Sequence, residues 1–265
     1  MKKSALKIAA LQLNSLENGD SRLDYYWRIC SSKRVKILLL GEYLLNPFFK
    51  EIETCEKKGL LEEAQRRIES IRELSKRHFT TLFAPIVTFK GGKNLPYKSL
   101  LIAQKGELFF YQQQRLMPFE HWNEAQFYGN PNPKNPIMPP LLEIDGFKIA
   151  PLFGYEAHFD EFWIKFKKAR VDVALIPSAS TFGSKNRWRE VLKSRAFLNS
   201  CYLLRTNRVG EYRDAQGEVW KFYGDSFLVR PNGEIEDYLG DKEELLLSEI
   251  HRDTLDEIRT QWAFV

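Results

Sequence analysis

Four positions of the chain carry a side chain suited to hydrolytic chemistry, or lie where such a side chain is expected. Glu42 follows a short apolar run, so its carboxylate lies at the end of a buried strand. Ser178 and Ser180 close the apolar run "VDVALIPSA" and offer hydroxyl groups. Gly154 lies between the apolar run "FKIAPLF" and a helix-like segment. Hydrolases often present a nucleophile at such a strand-to-helix corner, but glycine has no side chain to attack with.

The remaining reactive residue types do not complete a site. A serine nucleophile would need a base within hydrogen-bond reach, and the sequence identifies none. The four histidines are scattered, and no pair has the spacing of metal ligands. Three widely spaced cysteines predict neither a zinc site nor a disulfide framework, and Cys201 reads as a buried core residue. We therefore expect no metal and no cofactor.

Composition excludes several classes of protein. The chain has 265 residues, 43% of them apolar, and a net charge of +5 from 40 basic and 35 acidic residues. This small excess is typical of a solvated mixed surface and not of a nucleic-acid footprint. No run approaches the ~18 apolar residues of a membrane span. Lys7 and Gln12 interrupt the first apolar run, which argues against a signal peptide. We predict a cytoplasmic protein.

Strand and helix patterns alternate along the chain and predict an α/β fold. Helical periodicity covers residues 20–33, 60–78 and 185–200. Apolar runs of strand length lie at 6–13, 35–45, 80–89, 97–104, 106–114 and 171–179. The hairpin signals among them, such as Asp145-Gly146, argue against a doubly wound sheet. Two sheets covered by helices on their outer faces satisfy the pattern, so we expect a four-layer α-β-β-α sandwich in one domain, residues 1–265.

The segment 117–140 differs in kind from the rest of the chain. It carries six of the 12 prolines and the aromatic residues Phe119, Trp122, Phe127 and Tyr128. A loop this long without clear secondary structure is usually functional or disordered. Its aromatic content favours an ordered lip beside a pocket.

The ordered set of motifs resembles the nitrilase superfamily of carbon–nitrogen hydrolases. "IAALQLN" resembles the first strand, "LLLGEYLL" the glutamate segment, "GELFFYQQQRLMPFE" the lysine segment, and "FGYEAHFDEFW" the cysteine elbow. "VDVALIPSAS" and "YGDSFLVRPNGEI" resemble the C-terminal half. Each motif is weak alone, whereas their order over nearly the whole chain is specific. The resemblance implies the nitrilase-like sandwich.

The resemblance also implies a catalytic triad of which only one member is present. The family's glutamate base corresponds to Glu42, its lysine to Gln113 and its cysteine to Gly154, and the histidine that usually follows the lysine corresponds to Arg115. In the family a thiolate attacks an amide or nitrile carbon, the glutamate moves protons, and the lysine stabilises the oxyanion. The pocket-lining residues that the resemblance implies are Glu120, Tyr155, Glu156, Ser178 and Arg115.

These substitutions predict a catalytically inactive relative, retained to bind a small molecule or to regulate. Two alternatives stay open: an amide hydrolase that uses Glu42 with an unrecognised nucleophile, and a non-catalytic partner subunit. The resemblance also implies a homodimer that packs through residues 158–169 and 185–200. Phe159, Phe162, Trp163 and Phe166 are expected to be exposed there. We further expect glycine to free the elbow backbone from its usual φ restriction, and neighbouring side chains to close over the vacated volume.

Overall fold

The computed structural model describes residues 4–17, 19–53, 55–89, 95–214 and 217–264. Two six-stranded sheets lie face to face. The first sheet has the strand order β16-β1-β2-β3-β4-β5 and is formed by β1 (Ala5–Gln12), β2 (Ile37–Leu40), β3 (Thr81–Phe89), β4 (Pro96–Gln104), β5 (Glu107–Gln112) and β16 (Glu244–His251). The second has the order β15-β14-β11-β10-β9-β8 and is formed by β8 (Leu142–Ile144), β9 (Phe147–Pro151), β10 (Val173–Ser178), β11 (Tyr202–Asn207), β14 (Phe227–Val229) and β15 (Ile235–Tyr238).

Helices and two small hairpins complete the described part of the chain. The hairpins pair β6 (Pro118–Phe119) with β7 (Trp122–Asn123), and β12 (Val209–Arg213) with β13 (Val219–Tyr223). The helices are α1 (Arg22–Ser32), α2 (Phe49–Ile52), α3 (Lys57–Arg77), α4 (Glu124–Phe127), α5 (Asp160–Ala169), α6 (Lys185–Asn199) and α7 (Arg252–Trp262), with a 3-10 turn at Tyr155–His158. None of the described helices is long and apolar enough to cross a membrane.

Three apolar clusters separate four layers and confirm the predicted α-β-β-α sandwich. One cluster fills the space between the two sheets and includes Phe83 and Phe147. A second lies between the first sheet and helices α1 and α3, around Trp27. A third lies between the second sheet and helices α5 and α6, around Phe162. Each sheet therefore buries both faces, which explains the continuous apolar runs of its central strands.

The strand predicted at 35–45 ends earlier than expected, at Leu40, and this early end places Glu42. A β-carbon on Gly41 would lie 3.2 Å from backbone atoms of Ser178, Asn207 and Arg208. The absence of that carbon lets the end of β2 approach the second sheet closely. The backbone N–H of Glu42 then donates to the Ser178 carbonyl at 3.1 Å. The chain turns into the space between the sheets and carries the glutamate with it.

The aromatic residues of α5 are core residues, which corrects the expectation that they form an exposed surface. Phe162, Trp163 and Phe166 are 0%, 3% and 1% exposed, and they pack against the second sheet. Phe159 is half-buried beside the same cluster. One sheet face therefore absorbs all of this apolar surface within a single chain. The exposed apolar residues of the helices at this face are Ile164 and Leu198.

The segment 117–140 is an ordered lip, held by aromatic packing. It contains the β6–β7 hairpin and helix α4, which the sequence did not indicate. The Trp122 ring packs edge-on against Phe48 and Trp220, at 4.9 and 5.5 Å between ring centroids. Trp220 is fully buried in the β12–β13 hairpin. Three separate parts of the chain thus meet in one aromatic cluster beside the end of β2.

Candidate active site

The ends of β2 and β10 and the start of the 3-10 turn bring Glu42, Ser178 and Gly154 together. The Gly154 N–H donates to the Pro177 carbonyl at 2.8 Å and lies 3.3 Å from Glu42 Oε1. Glu42 is 2% exposed. The elbow is therefore tied by hydrogen bonds both to the neighbouring strand and to the buried carboxylate.

A buried ammonium group, that of Lys98 on β4, lies between two buried carboxylates. Lys98 Nζ forms an ion pair with Glu42 Oε2, and it donates to Glu124 Oε1 at 2.6 Å. The Tyr43 hydroxyl donates to the same Glu124 oxygen, and the Tyr43 ring centroid lies 4.8 Å from the ammonium. Lys98 and Glu124 are 3% and 0% exposed. Charges this deeply buried are tolerated only when they are paired and hydrogen-bonded.

Burial and neighbouring charge perturb the pKa values of this cluster. Burial raises the pKa of the Glu42 carboxyl to about 7, while Lys98 lowers it and Glu124 raises it. Burial opposes the charged form of Lys98, but Glu124 and Glu42 outweigh it, and the Lys98 pKa is raised. Lys98 is consequently an ammonium at neutral pH. Glu42 changes its charge near neutrality, which suits a group that exchanges protons.

Gln113 and Arg115 do not take part in this cluster. Gln113 is fully buried, its Nε2 donates to the Arg115 carbonyl at 2.6 Å, and its Oε1 has no hydrogen-bond partner in the described part of the chain. The Arg115 guanidinium donates to Asn132 and to Glu161, at 2.9 and 2.8 Å. Neither side chain lines the cavity beside Glu42. Arg115 instead links the lip to helix α5, because it binds Asn132 of the lip and Glu161 of α5.

Glu156 also lies behind the cavity wall and not on it. Its carboxylate accepts hydrogen bonds from the Tyr111 hydroxyl and from the backbone N–H groups of Phe153, Gln114 and Arg115. Burial raises its pKa to about 7, although these hydrogen bonds act in the opposite direction. Glu156 therefore joins the elbow to the end of β5. The expectation that it lines the pocket and pairs with a cation is not met.

Glu120 is exposed and does not line the cavity, which corrects its expected place. The buried second carboxylate is Glu124, the first residue of α4 and the buried residue of that short helix, which is itself part of the lip. The family resemblance implied Glu120 because "MPFE" matches a segment with a second pocket glutamate, whereas the β6–β7 hairpin leaves that residue exposed. Both Glu124 and Lys98 were missed. Their only sequence signal is a charged residue inside an otherwise apolar or aromatic stretch.

A cavity of about 660 Å³ opens beside Glu42. Tyr155 and Ser178 contribute to its wall as expected, together with Glu42 and Gly154. The rest of its lining comes mainly from the lip and from helix α6 and the loop before it: Met117, Phe119, His121, Trp122, His158, Phe159, Ala179, Ser180, Thr181, Phe182, Ser184, Arg187, Trp188 and Val191. A second cavity of about 690 Å³, between α3 and β5, touches neither Glu42 nor Gly154. Glu42 and Gly154 therefore line the first of these two cavities.

The hydroxyl groups nearest the elbow are engaged elsewhere. Ser178 Oγ donates to the Thr206 carbonyl at 3.2 Å and to Asn207 Oδ1 at 3.4 Å. Ser180 Oγ accepts a hydrogen bond from Arg205 Nη2 at 2.9 Å. In the described ranges neither serine hydroxyl is hydrogen-bonded to the Glu42 carboxylate. Among the residues that the structure describes, no base is hydrogen-bonded to either hydroxyl, as a serine nucleophile would require.

The elbow itself keeps an ordinary backbone. Gly154 has φ −49° and ψ −50°, values that any residue adopts, so the expectation of a freed backbone is wrong. Space is the constraint instead. A β-carbon on residue 154 would lie 2.9 Å from Ser178 Cβ and 3.3 Å from Glu42 Oε1. Ser178 has thus closed over part of the volume that a side chain at the elbow would occupy.

The family model for carbon-nitrogen hydrolases matches residues 7–260, which is nearly the whole chain. The chain belongs to the carbon-nitrogen hydrolase family. This result confirms the resemblance drawn from the ordered motifs.

Several relatives similar in sequence are named as amidases. The deaminated glutathione amidase of Synechocystis is 27% identical over 125 residues, which is 46% of this chain and 44% of that protein. The 2-oxoglutaramate amidase of Bacillus subtilis is 22% identical over 229 residues, 86% of this chain and 83% of that protein. The match thus spans less than half of the cyanobacterial relative and most of the Bacillus relative.

Solved carbon-nitrogen hydrolase structures share the fold. The enzyme of Helicobacter pylori G27 has a TM-score of 0.83 at 19% identity and covers 98% of this chain and 94% of its own. An amidase from Nesterenkonia has a TM-score of 0.79 at 20% identity and covers 99% of this chain and 97% of its own. At such low identity these likenesses establish the sandwich architecture alone.

Proposed function

We propose that this carbon-nitrogen hydrolase relative binds a small molecule in the cavity beside Glu42 and does not hydrolyse it. The observation that carries the proposal is Gly154, a residue without a side chain, at the elbow 3.3 Å from Glu42 Oε1. Covalent hydrolysis by an acyl-enzyme needs an atom there that can attack the substrate carbon.

The loss of the nucleophile outweighs what the site retains. Removing the nucleophile of a comparable acyl-transfer enzyme lowers kcat by about 10⁶-fold. The charged partners Glu42 and Lys98 remain, but without an attacking atom they have no tetrahedral intermediate to stabilise. Cys30 and Cys201 offer no substitute, because both are buried in helix-facing cores, where burial raises the pKa of each thiol to about 12.

The buried charges support a binding role. Replacing a buried ion pair by well-packed apolar residues is often neutral or stabilising, so such a cluster is weak evidence for stability alone. Glu42 Oε2 is buried and receives no well-aligned hydrogen bond from the described residues, although it is ion-paired with Lys98. Glu42 also lines the cavity, so the N–H donor of a bound ligand can approach its carboxylate there. The named relatives act on amides, so a small carboxamide is the ligand class that we propose.

A second candidate is hydrolysis by water, with Glu42 as general base. Two observations favour it: the Lys98 ammonium that the sequence did not predict, and a Glu42 pKa of about 7. A base is most effective when its pKa lies near the working pH. This candidate needs an ordered water near the elbow, where Gly154 leaves more room than a larger residue would.

One experiment separates the two candidates. Purified chain is incubated with primary amides, nitriles and N-carbamoyl compounds, while ammonia release and binding heat are measured in parallel. We expect binding by at least one carboxamide, no ammonia above the protein-free blank, and about tenfold weaker binding by Glu42→Gln, since a hydrogen bond to a charged group is lost. Glu120→Gln, an exposed residue of the same lip, is the matched control and should bind normally.

The opposite outcome is equally clear. Ammonia release by the unmutated chain that Glu42→Gln abolishes would replace the binding proposal by the water mechanism. Release that persists in Glu42→Gln at the same rate would point to a contaminating enzyme and is checked with an independently purified batch. A chain that binds no compound of the panel would exclude the proposed carboxamide class.

A further inference from the structure

Lys98 and Gln113 face each other across the β4–β5 ladder. The last paired rung joins Ser99 to Gln112, and the Gln113 N–H then donates to the Lys98 carbonyl at 3.1 Å. The Asn130 side chain closes this end of the ladder by donating to both carbonyls, at 2.7 and 2.8 Å. Residues directly opposite each other on antiparallel strands project to the same face of the sheet. Both side chains therefore lie on the same face of the sheet, on neighbouring strands.

The two side chains differ in charge. Gln113 is neutral, and its Oε1 is buried without a hydrogen-bond partner among the described residues. Lys98 is charged and contacts the carboxylates of Glu42 and Glu124. The motif alignment expects the lysine at 113. The structure instead places an ammonium, from position 98, against the glutamate at which that lysine would act.

We propose that Lys98 is the positioning cation of the site. From β4 it supplies the positive charge that the motif alignment expects at position 113, where this chain has the neutral Gln113. It holds Glu42 so that Oε1 faces the Gly154 N–H while Oε2 faces the ammonium. It also stabilises negative charge at the elbow, whether on a ligand or on a side chain introduced at 154. The inference rests on the proposed function only in taking this cavity as the ligand site.

An introduced thiol can report on this cation. A β-carbon at 154 would lie 3.3 Å from Glu42 Oε1, and Lys98 contacts the other oxygen of the same carboxylate. A charge this near, in a site shielded from water, shifts a thiol pKa by about one unit or more. The reporter chain carries Gly154→Cys, with Ser178→Gly to make room and Cys55→Ser to remove the exposed cysteine.

The test is the pH profile of alkylation by iodoacetamide in the full-length reporter chain. Lys98→Gln should raise the midpoint of the profile by about one unit and slow alkylation at pH 7 about tenfold, since the thiolate is the reactive form. Exchanging the two residues, Lys98→Gln with Gln113→Lys, should restore the rate to within about threefold. Lys36→Gln is the matched control, because it removes a half-exposed lysine just before the opposite end of β2.

Two results would overturn the proposal: a Lys98→Gln profile identical to that of the reporter, or an exchanged variant that folds but keeps the slow profile. If the Lys98 variants do not fold, the reporter chain with Lys98 intact decides. The ¹⁵Nζ resonance of Lys98 is followed over the same pH range. A shift with the midpoint of the thiol supports the proposal, and a flat response contradicts it. Ammonia release by the native chain would refute the binding function without affecting this readout.

Discussion

Gly154 and Ser178 share a space that holds only one β-carbon. With glycine at the elbow, Ser178 Cβ occupies a position 2.9 Å from where the β-carbon of residue 154 would lie. The Gly154 backbone is meanwhile held by the Pro177 carbonyl at 2.8 Å, so it cannot retreat without breaking a hydrogen bond. The absence of a side chain at residue 154 and the position of Ser178 are therefore coupled.

This coupling predicts a dependence between substitutions at the two positions. Gly154→Ala should destabilise the chain by about 1–3 kcal/mol, because its β-carbon would overpack against Ser178. Backbone strain is not the cause, since φ at residue 154 is −49°, a value that alanine adopts readily. Combining it with Ser178→Gly should recover about 1 kcal/mol or more as a coupling energy. Urea unfolding of the four chains in the cycle measures it. Gly183→Ala, where a new β-carbon meets nothing within 4 Å, is the control and should change stability little.

Glu124 should matter far more to stability than Glu120. Glu124→Gln removes one of the two carboxylates that pair with the buried Lys98 ammonium and leaves Glu42 as the other, and losing a hydrogen bond between charged groups costs about 1.5–3 kcal/mol. Glu120→Gln alters an exposed residue of the same lip and should change the unfolding free energy by less than about 0.5 kcal/mol. Thermal and chemical unfolding measure both. Equal effects of the two variants would show that the buried cluster is not a stabilising unit.

The unfolding free energy should fall as pH rises from about 4.5 to about 7. Glu42 and Glu156 have pKa values raised by burial to about 7 from an ordinary 4.5, so between these values the folded chain holds protons that the unfolded chain has released. Each such group lowers stability by up to about 1.4 kcal/mol per pH unit within that window. Glu42→Gln removes one titrating group and should flatten the slope, leaving the part due to Glu156. A slope that is unchanged in Glu42→Gln would show that Glu42 ionises normally.

Self-association stays a prediction. The exposed apolar surface of α5 and α6 through which the chain would dimerise is smaller than the sequence indicated. With the α5 aromatics buried, the exposed apolar residues on this face are Ile164 at 53% and Leu198 at 48%. If the chain dimerises through α5 and α6, Ile164→Glu with Leu198→Glu should weaken the dimer about 100-fold or more, since buried charge is unpaired at the interface. Light scattering across micromolar concentrations measures the mass. Tyr25→Glu, equally exposed on α1, is the control; a monomeric unmutated chain would refute the dimer.

The sandwich was predictable because its signal is distributed over many residues. The four apolar residues of β2 and the alternation of helical and strand periodicity report burial on both sheet faces directly. The end of β2 was not predictable. "GEYLL" continues the apolar pattern, and only the close approach of Gly41 to the second sheet stops the strand. A contact between distant parts of the chain leaves no local pattern.

The sequence predicted those site residues that lie at the ends of strands, because the fold determines where strand ends meet. Glu42 and Gly154 lie at strand ends, so their meeting follows from the fold. Lys98 and Glu124 were missed because one reaches the site from a neighbouring strand and the other from a lip whose hairpin the sequence did not indicate. The orientation of a loop side chain depends on packing with residues far away in sequence, as the outward Glu120 shows.

The rung that joins Lys98 to Gln113 has a consequence for comparing such chains. Two residues that are far apart in a sequence alignment can lie opposite each other on adjacent strands. A lysine on either strand can then place its ammonium group in the same part of a site. If Lys98 acts as we propose, an alignment alone would count the positive charge at position 113 as lost, although a lysine on the adjacent strand supplies it. Relatives that lack a motif lysine should therefore be searched for a lysine on the adjacent strand before their electrostatics are judged.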